Sequence, residues 1–211
     1  MSLEPAVSRI GVTMREVQDQ RTGEWRDALA RDWSHFLSAA LPEATWCPIP
    51  NLGETAVTLI ERWDIRAICL TGGDDVGASP ARDRTERALL QHCLDRGKPV
   101  LGVCRGLQLL WTQLGGALQE VEGHVNALHD IRYLDNPIGL SGTREVNSYH
   151  RWSLRGHVER LVPFAVAADG TIEAALARDE RCLGVMWHPE RGPEPHRHDV
   201  QLVRWLFGYR R

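Results

Sequence analysis

A cysteine stands between two glycines in Gly102-Val103-Cys104-Arg105-Gly106, after a short apolar run and before the longer run Leu107 to Trp111. This is the G-x-nucleophile-x-G form of an elbow, a sharp strand-to-helix turn that exposes a reactive atom and needs small flanking residues. A thiol at a helix N-terminus meets the positive end of the helix dipole and unpaired backbone N–H groups, and both favour thiolate. Read for packing alone, Cys104 would be a small buried apolar side chain, the usual state of a free cysteine. That reading is adopted for Cys47, Cys69, Cys93 and Cys182, which lack the elbow context. A thiolate nucleophile needs a base for the leaving group's proton, and the base needs an orienting partner. "GVMWHPER" offers both. His188 ends a strand-like run where Pro189 biases the backbone to extended geometry. Glu190 can then hold one imidazole nitrogen, fix the tautomer and leave the other facing the thiol. Cys104, His188 and Glu190 are the expected triad.

Such a triad has to be assembled by the fold, and the first 120 or so residues alternate between strand-like and helix-like segments. "RIGVTM" reads as a strand. Trp25, Leu29, Trp33, Phe36, Leu37 and Ala40 then repeat at spacings of three and four, which predicts one helix. "TWCPI" is a strand, and "NLGETAVTLIERW" a helix entered from Asn51 as its cap. "RAICL" is a buried strand running into "TGGDD". From Arg82 to Arg96 a helix is predicted, opened by Asp83 and Glu86 at capping-box spacing and closed by Gly97. "PVLGV" leads into the elbow. Strands separated by helices predict parallel βαβ units with both sheet faces covered. Beyond Gly116, "HDIRYL", "TREVNSYH", "FAVAA", "TIEAAL" and "CLGVMW" are short strands divided by turn signals, so hairpins are expected beside the parallel core. "HDVQLVRWLFGYRR" reads as a closing helix. With no linker or repeat in view, residues 1–211 are expected to form one domain.

Composition narrows the partners. With 25 basic against 28 acidic residues, there is no electrostatic case for nucleic acid or an anionic membrane. The five cysteines are odd in number, scattered and without CxxC spacing, which points to reduced thiols and a cytoplasmic setting. No signal segment or membrane span is read. "GGDDVG" has the wrong glycine spacing for a dinucleotide fingerprint, and there is no Walker-type lysine loop, so no cofactor is expected. Nine histidines include His196 and His198 in "HRH", but without H-E-x-x-H spacing or paired cysteines they read as solvated and no metal is expected.

"GVCRGLQLLW", "TGGDDV", "VNSYH" and "GVMWHPER" together resemble the class I glutamine amidotransferase superfamily, in the branch of γ-glutamyl hydrolases of the peptidase C26 type. The resemblance runs over nearly the whole chain. It implies an α/β, flavodoxin-like, mostly parallel sheet with helices on both faces and an added antiparallel hairpin region. It also implies cleavage of a γ-glutamyl amide through a glutamyl thioester, with Cys104 as nucleophile, His188 as acid and base, and Glu190 as orienter. The N–H groups of Arg105 and Gly73 match the family's oxyanion hole. Gln108, one helical turn past Cys104, matches the glutamine that holds the substrate's α-amino-acid end; as packing it would be a solvated helix residue. Ser148 and Tyr149 fall where the family sets backbone groups against the α-carboxylate, and otherwise are ordinary strand residues. The relatives often continue with His-Gln where this chain has "HRW", which leaves the role of His150 open.

Two function classes follow from that resemblance. One is a stand-alone hydrolase that releases glutamate from a small γ-glutamyl conjugate. The other is the glutaminase subunit of a two-part amidotransferase, feeding ammonia to a separate synthase partner; no fused synthase is expected in 211 residues. "REVQDQRTGEWRDALARDWSHFL" with "CPIPN" is similar to small hydrolases found with bacterial surface-polysaccharide genes, of the γ-glutamyl-CDP-amidate hydrolase kind. That similarity implies a CDP-linked substrate and favours the hydrolase. Arg15, Arg21 and Arg26 could then meet a pyrophosphate, or simply form a solvated charged face. A non-catalytic or redox-sensing relative is a third reading, opposed by the complete triad.

Overall fold

The computed structural model describes residues 6–209. In chain order its elements are β1 (Arg9–Thr13), β2 (Arg15–Gln18), β3 (Trp25–Ala28), α1 (Arg31–Ala40), β4 (Thr45–Ile49), α2 (Thr55–Arg62), β5 (Ala67–Leu70) and α3 (Pro80–Arg96). There follow β6 (Val100–Val103), α4 (Arg105–Gln113), β7 (Ala117–Glu120), β8 (Val125–Tyr133), β9 (Thr143–Tyr149), β10 (Trp152–Arg155), β11 (Leu161–Ala167), β12 (Ile172–Ala177), β13 (Cys182–Val185) and α5 (Arg197–Leu206).

One nine-stranded sheet runs β4-β1-β5-β6-β13-β12-β11-β8-β9. Its first five strands pair in parallel, as the alternating segments predict. From β13 onward each pairing is antiparallel, so the hairpin region extends the same sheet. Side chains alternate between two covered faces. In β5, Ala67 and Cys69 join Trp33, Phe36 and Leu37 of α1 and Val203 and Leu206 of α5. Ile68 and Leu70 join Ile60 of α2, Leu89 and Leu90 of α3, and Leu107 and Trp111 of α4 on the opposite face. Cover on both sides explains why β5 and β6 are buried at every position. Each fully buried Leu, Ile or Phe here contributes about 1.5–3 kcal/mol through removal of apolar surface from water.

Three local expectations are corrected. The apolar stripe from residue 25 to 40 is not one helix: Trp33, Phe36, Leu37 and Ala40 lie on α1, whereas Trp25 starts β3 and is 63% exposed. A polar turn overrides the periodicity. Asp19 accepts from the N–H groups of Arg21 and Thr22 at 2.9 and 3.0 Å, and Gly23 takes φ +71°, which folds β2 back on β3 as a separate hairpin. Asn51 does not cap α2, which begins four residues later with Glu54 at its cap. Instead its Nδ2 donates to Asp27 Oδ1 at 2.6 Å and to Met14 O at 3.1 Å, fastening the hairpin to the sheet. The third concerns Asp83 and Glu86, which do not form a capping box: α3 opens at Pro80 after Ser79 as cap, and Glu86 is fully buried. Pro80 at the first helical position sacrifices no hydrogen bond and pre-sets φ, which moves the start forward. Gly97 closes α3 in the left-handed region, φ +61°, as expected.

Candidate active site

Three neighbouring parallel strands, β5, β6 and β13, end at the same sheet edge, where open α/β folds place their ligand crevices. Val103 and Val185 are register partners, so Cys104 and His188 leave adjacent strands at nearly the same level. Thr71 to Gly73 leave β5 on the other side of Cys104.

The elbow is built as its spacing predicts. Cys104 adopts φ +50° and ψ −106°, and its N–H donates to Val185 O at 2.7 Å. A non-glycine residue held at positive φ costs about 1–3 kcal/mol, maintained by surroundings that permit no alternative. Both flanking glycines are required by close approach. A Cβ on Gly106 would overlap the carbonyl oxygen of Leu70, and one on Gly102 would sit 2.8 Å from the backbone of Gly106 and Leu107. The other cysteines behave as packing residues. Burial pushes the thiols of Cys93 and Cys182 up to about 12, and it raises Cys69 and Cys47 as well.

His188 and Glu190 are both buried, and Nδ1 of His188 donates to Glu190 Oε1 at 2.7 Å. That bond leaves Nε2 for the thiol. Burial alone would lower the His188 pKa, but hydrogen bonds to Cys104 and Glu190 and the charges of both outweigh it and raise it to about 9. The backbone at His188 is clamped by Asn147, whose Oδ1 accepts from His188 N at 2.8 Å and whose Nδ2 donates to His188 O at 2.9 Å. Tyr149 packs edge-on against the imidazole at 5.4 Å between centroids, and the Arg191 guanidinium stands over the tyrosine ring, 4.4 Å from its centroid.

Arg105 is the first residue of α4, so its N–H has no acceptor within the helix. Gly73 lies on the opposite lip at φ +137°, a conformation that favours glycine. Behind both runs a buried ionic network. Arg82 donates through Nη2 to Thr71 O, Thr71 Oγ1 and Gly72 O at 2.7, 3.0 and 3.1 Å, and through Nε to Glu86 Oε1 at 2.9 Å. Glu86 also accepts from Thr13 Oγ1 at 2.7 Å and from Arg105, which pairs with Asp83 too. One carboxylate thereby ties the Thr71–Gly73 turn to the elbow. Sequence reasoning missed Asn147, Arg82 and Glu86 as positioning groups, because Glu86 meets Thr13 and Arg105, and Asn147 meets His188, only across the fold.

Gln108 is buried, and its Nε2 donates to Trp152 O at 2.9 Å. Ser148 is fully buried, and its hydroxyl is committed to the fold, donating to His124 O at 2.7 Å. The three arginines do not converge. Arg15 lies by the Gly73 turn and donates to Asp74 at 3.1 Å, whereas Arg26 is engaged by Glu24 and Asp19 and Arg21 is exposed in the hairpin turn. His196 is exposed and caps α5, accepting from His198 N at 3.2 Å; His198 is half-buried against Tyr133, not solvated. No helix among the described residues is long and apolar enough to cross a membrane.

The family model for Peptidase C26 matches residues 9–190. A γ-glutamyl-CDP-amidate hydrolase of Campylobacter jejuni subsp. jejuni serotype O:2 is 29% identical, with 94% of this chain and 96% of that protein covered. A glutamine-hydrolysing GMP synthase of Xylella fastidiosa is 33% identical over 59% of this chain and 25% of its own length. Among solved structures, a glutamine amidotransferase of Thermotoga maritima superposes with a TM-score of 0.66 at 13% identity, covering 96% of this chain and 82% of its own, a likeness of fold.

Proposed function

The chain belongs to the Peptidase C26 family, and on that premise we propose that it is a cysteine-dependent hydrolase that releases L-glutamate from a γ-glutamyl amide. The observation that carries this reading is the His188–Glu190 pair, bonded at 2.7 Å and set against a thiol on a strained elbow. With its proton passed to His188 Nε2, Cys104 Sγ attacks the γ-carbonyl carbon, and the oxyanion that forms accepts hydrogen bonds from Arg105 N–H and Gly73 N–H. The C–N bond breaks as His188 gives its proton to the departing nitrogen, leaving a glutamyl thioester on Cys104. Water, deprotonated by His188, then attacks the thioester, and collapse of the second oxyanion frees glutamate and the thiol. Gln108 Oε1 accepts from the substrate's α-ammonium while its Nε2 stays with Trp152 O, and the backbone at Ser148 and Tyr149 meets the α-carboxylate.

For the leaving group we favour a CDP-linked amidate, as in phosphoramidate assembly for surface polysaccharide. The similarity to the Campylobacter hydrolase over nearly the full length of both chains supports it. The second reading, a glutaminase acting with a separate synthase, draws on the likeness to the GMP synthase over part of each chain. Glutamate release is measured without any partner from γ-glutamyl-CDP-amidate and from L-glutamine, with Cys104→Ala as blank. Release from the CDP conjugate alone is expected. Release from glutamine in preference to the conjugate would replace the hydrolase reading with the glutaminase one.

A further inference from the structure

Away from the thiol, three imidazoles and a carboxylate from β8, the end of β9 and β12 meet in the antiparallel half of the sheet. His124 precedes β8, His129 lies on it, His150 follows β9 and Glu173 is on β12. One ligand atom from each lies within 4.8 Å of every other. His124 Nδ1, His150 Nε2 and His129 Nε2 stand 3.3, 3.4 and 3.7 Å from the same atom, Glu173 Oε1. Their side chains are 6%, 1% and 17% exposed, and that of Glu173 is 0% exposed. None of the three nitrogens, and neither oxygen of Glu173, makes a hydrogen bond.

The outer nitrogens explain why the inner ones are orphaned. His124 Nε2 faces Asp169 Oδ2 at 3.0 Å, His150 Nδ1 faces Trp152 O at 3.2 Å, and His129 Nδ1 faces Asp130 O at 3.4 Å. Those oxygens only accept, so each outer nitrogen is the donor of its pair, and the second nitrogen of each ring is turned toward Glu173. Three imidazole nitrogens and a carboxylate thus face one another in a buried space without a well-formed hydrogen bond among them, a costly arrangement that a shared ion would satisfy.

We propose that His124 Nδ1, His129 Nε2, His150 Nε2 and Glu173 bind one divalent transition-metal ion of the zinc class. Donor type selects the ion: three imidazoles with one carboxylate suit zinc, whereas calcium and magnesium take oxygen ligands. The spacing agrees. Ligand bonds of about 2.0–2.1 Å give a tetrahedron with edges of roughly 3.3 Å, and the three nitrogen-to-oxygen separations already stand close to that. Asp169 holds the first imidazole from behind, the carboxylate–histidine–metal arrangement that fixes a ring's tautomer and direction. With four protein ligands the site is closed, which makes it structural. It would pin β8, β12 and the end of β9 together; Glu173 O accepts from Met186 N at 2.7 Å, two residues before His188.

The test uses the full chain in a Cys104→Ser background, so that the thiol cannot bind metal. Metal content is measured by plasma mass spectrometry on protein purified without chelator, and cobalt(II) is then substituted and its visible spectrum recorded. One equivalent of zinc per chain, an intense tetrahedral cobalt spectrum and a Tm that falls on chelation and recovers with zinc are expected. His129→Ala, at the most exposed ligand, and Glu173→Gln should each lose the spectrum and the recovery. A chain that binds no zinc, or binds it equally in His129→Ala, would overturn the proposal and leave a histidine–carboxylate cluster. These readouts do not depend on activity, so failure here leaves the hydrolase reading standing.

Discussion

Gln108 and His150 donate to one and the same acceptor, the carbonyl oxygen of Trp152, from 2.9 and 3.2 Å. Helix α4, which follows Cys104, and the segment between β9 and β10 are thereby held to a common atom, and a shift in either ring or amide is felt by the other.

Gln108→Ala removes one of those donors together with the amide oxygen assigned to the substrate ammonium. KM should rise about tenfold or more while kcat changes less, since ground and transition states lose the same contact. Steady-state kinetics on the preferred γ-glutamyl amide decide it; a fall in kcat at constant KM would contradict the binding role.

At Cys104, chemistry and stability should separate. Cys104→Ala is expected to lower turnover by about a thousandfold or more. Cys104→Gly should be equally inactive yet more stable than Cys104→Ala by about 1 kcal/mol, because glycine relieves the positive φ. Urea unfolding of the two variants measures that difference.

The His188 pair sets a pH limit. Its folded pKa of about 9 lies above the free value of 6.5, so its contribution to stability is complete below about pH 6.5 and is lost as pH rises through about 9. kcat/KM should fall above about pH 9 as the proton donor is lost. Glu190→Gln should move that descending limb toward neutral pH and lower kcat/KM by a factor on the order of 10² to 10⁴. A pH–rate profile with an unmoved limb would remove Glu190 from the pair.

Glu86→Ala leaves Arg82 and Arg105 buried without their shared carboxylate. A loss of about 3–5 kcal/mol is expected, the usual result of removing one member of a buried ionic cluster. Denaturant titration gives the stability. Activity of the folded fraction should fall as well, because Arg82 holds the Thr71–Gly73 turn.

The parallel half was legible because its signals are local. Apolar runs such as Ala67–Leu70 and Val100–Val103, with glycines at 102 and 106, specify buried strands and an elbow within a few residues. What stayed hidden depends on distance in sequence. Glu86 reads as a helix-start residue until Thr13 and Arg105 are folded onto it, 73 and 19 residues away. His124, His129, His150 and Glu173 share no spacing that a motif could capture, since they gather across strands. Trp25 was misplaced for a different reason: its spacing to Leu29 and Trp33 fits a helix, but the Asp19 turn had already committed the chain to a hairpin.

That hairpin, β2–β3, stands outside the large sheet and is held by polar ties, Asp27 to Asn51, Arg15 to Asp74 and Glu16 to Ser79. None of its residues belongs to the buried apolar core. It is in effect an interchangeable fitting: apart from Arg15 beside the Gly73 turn, its length and face can be rewritten without touching the apolar core. A descendant with a different hairpin would keep the same elbow and the same His188–Glu190 pair while presenting a new surface at the rim of the Gly73 turn.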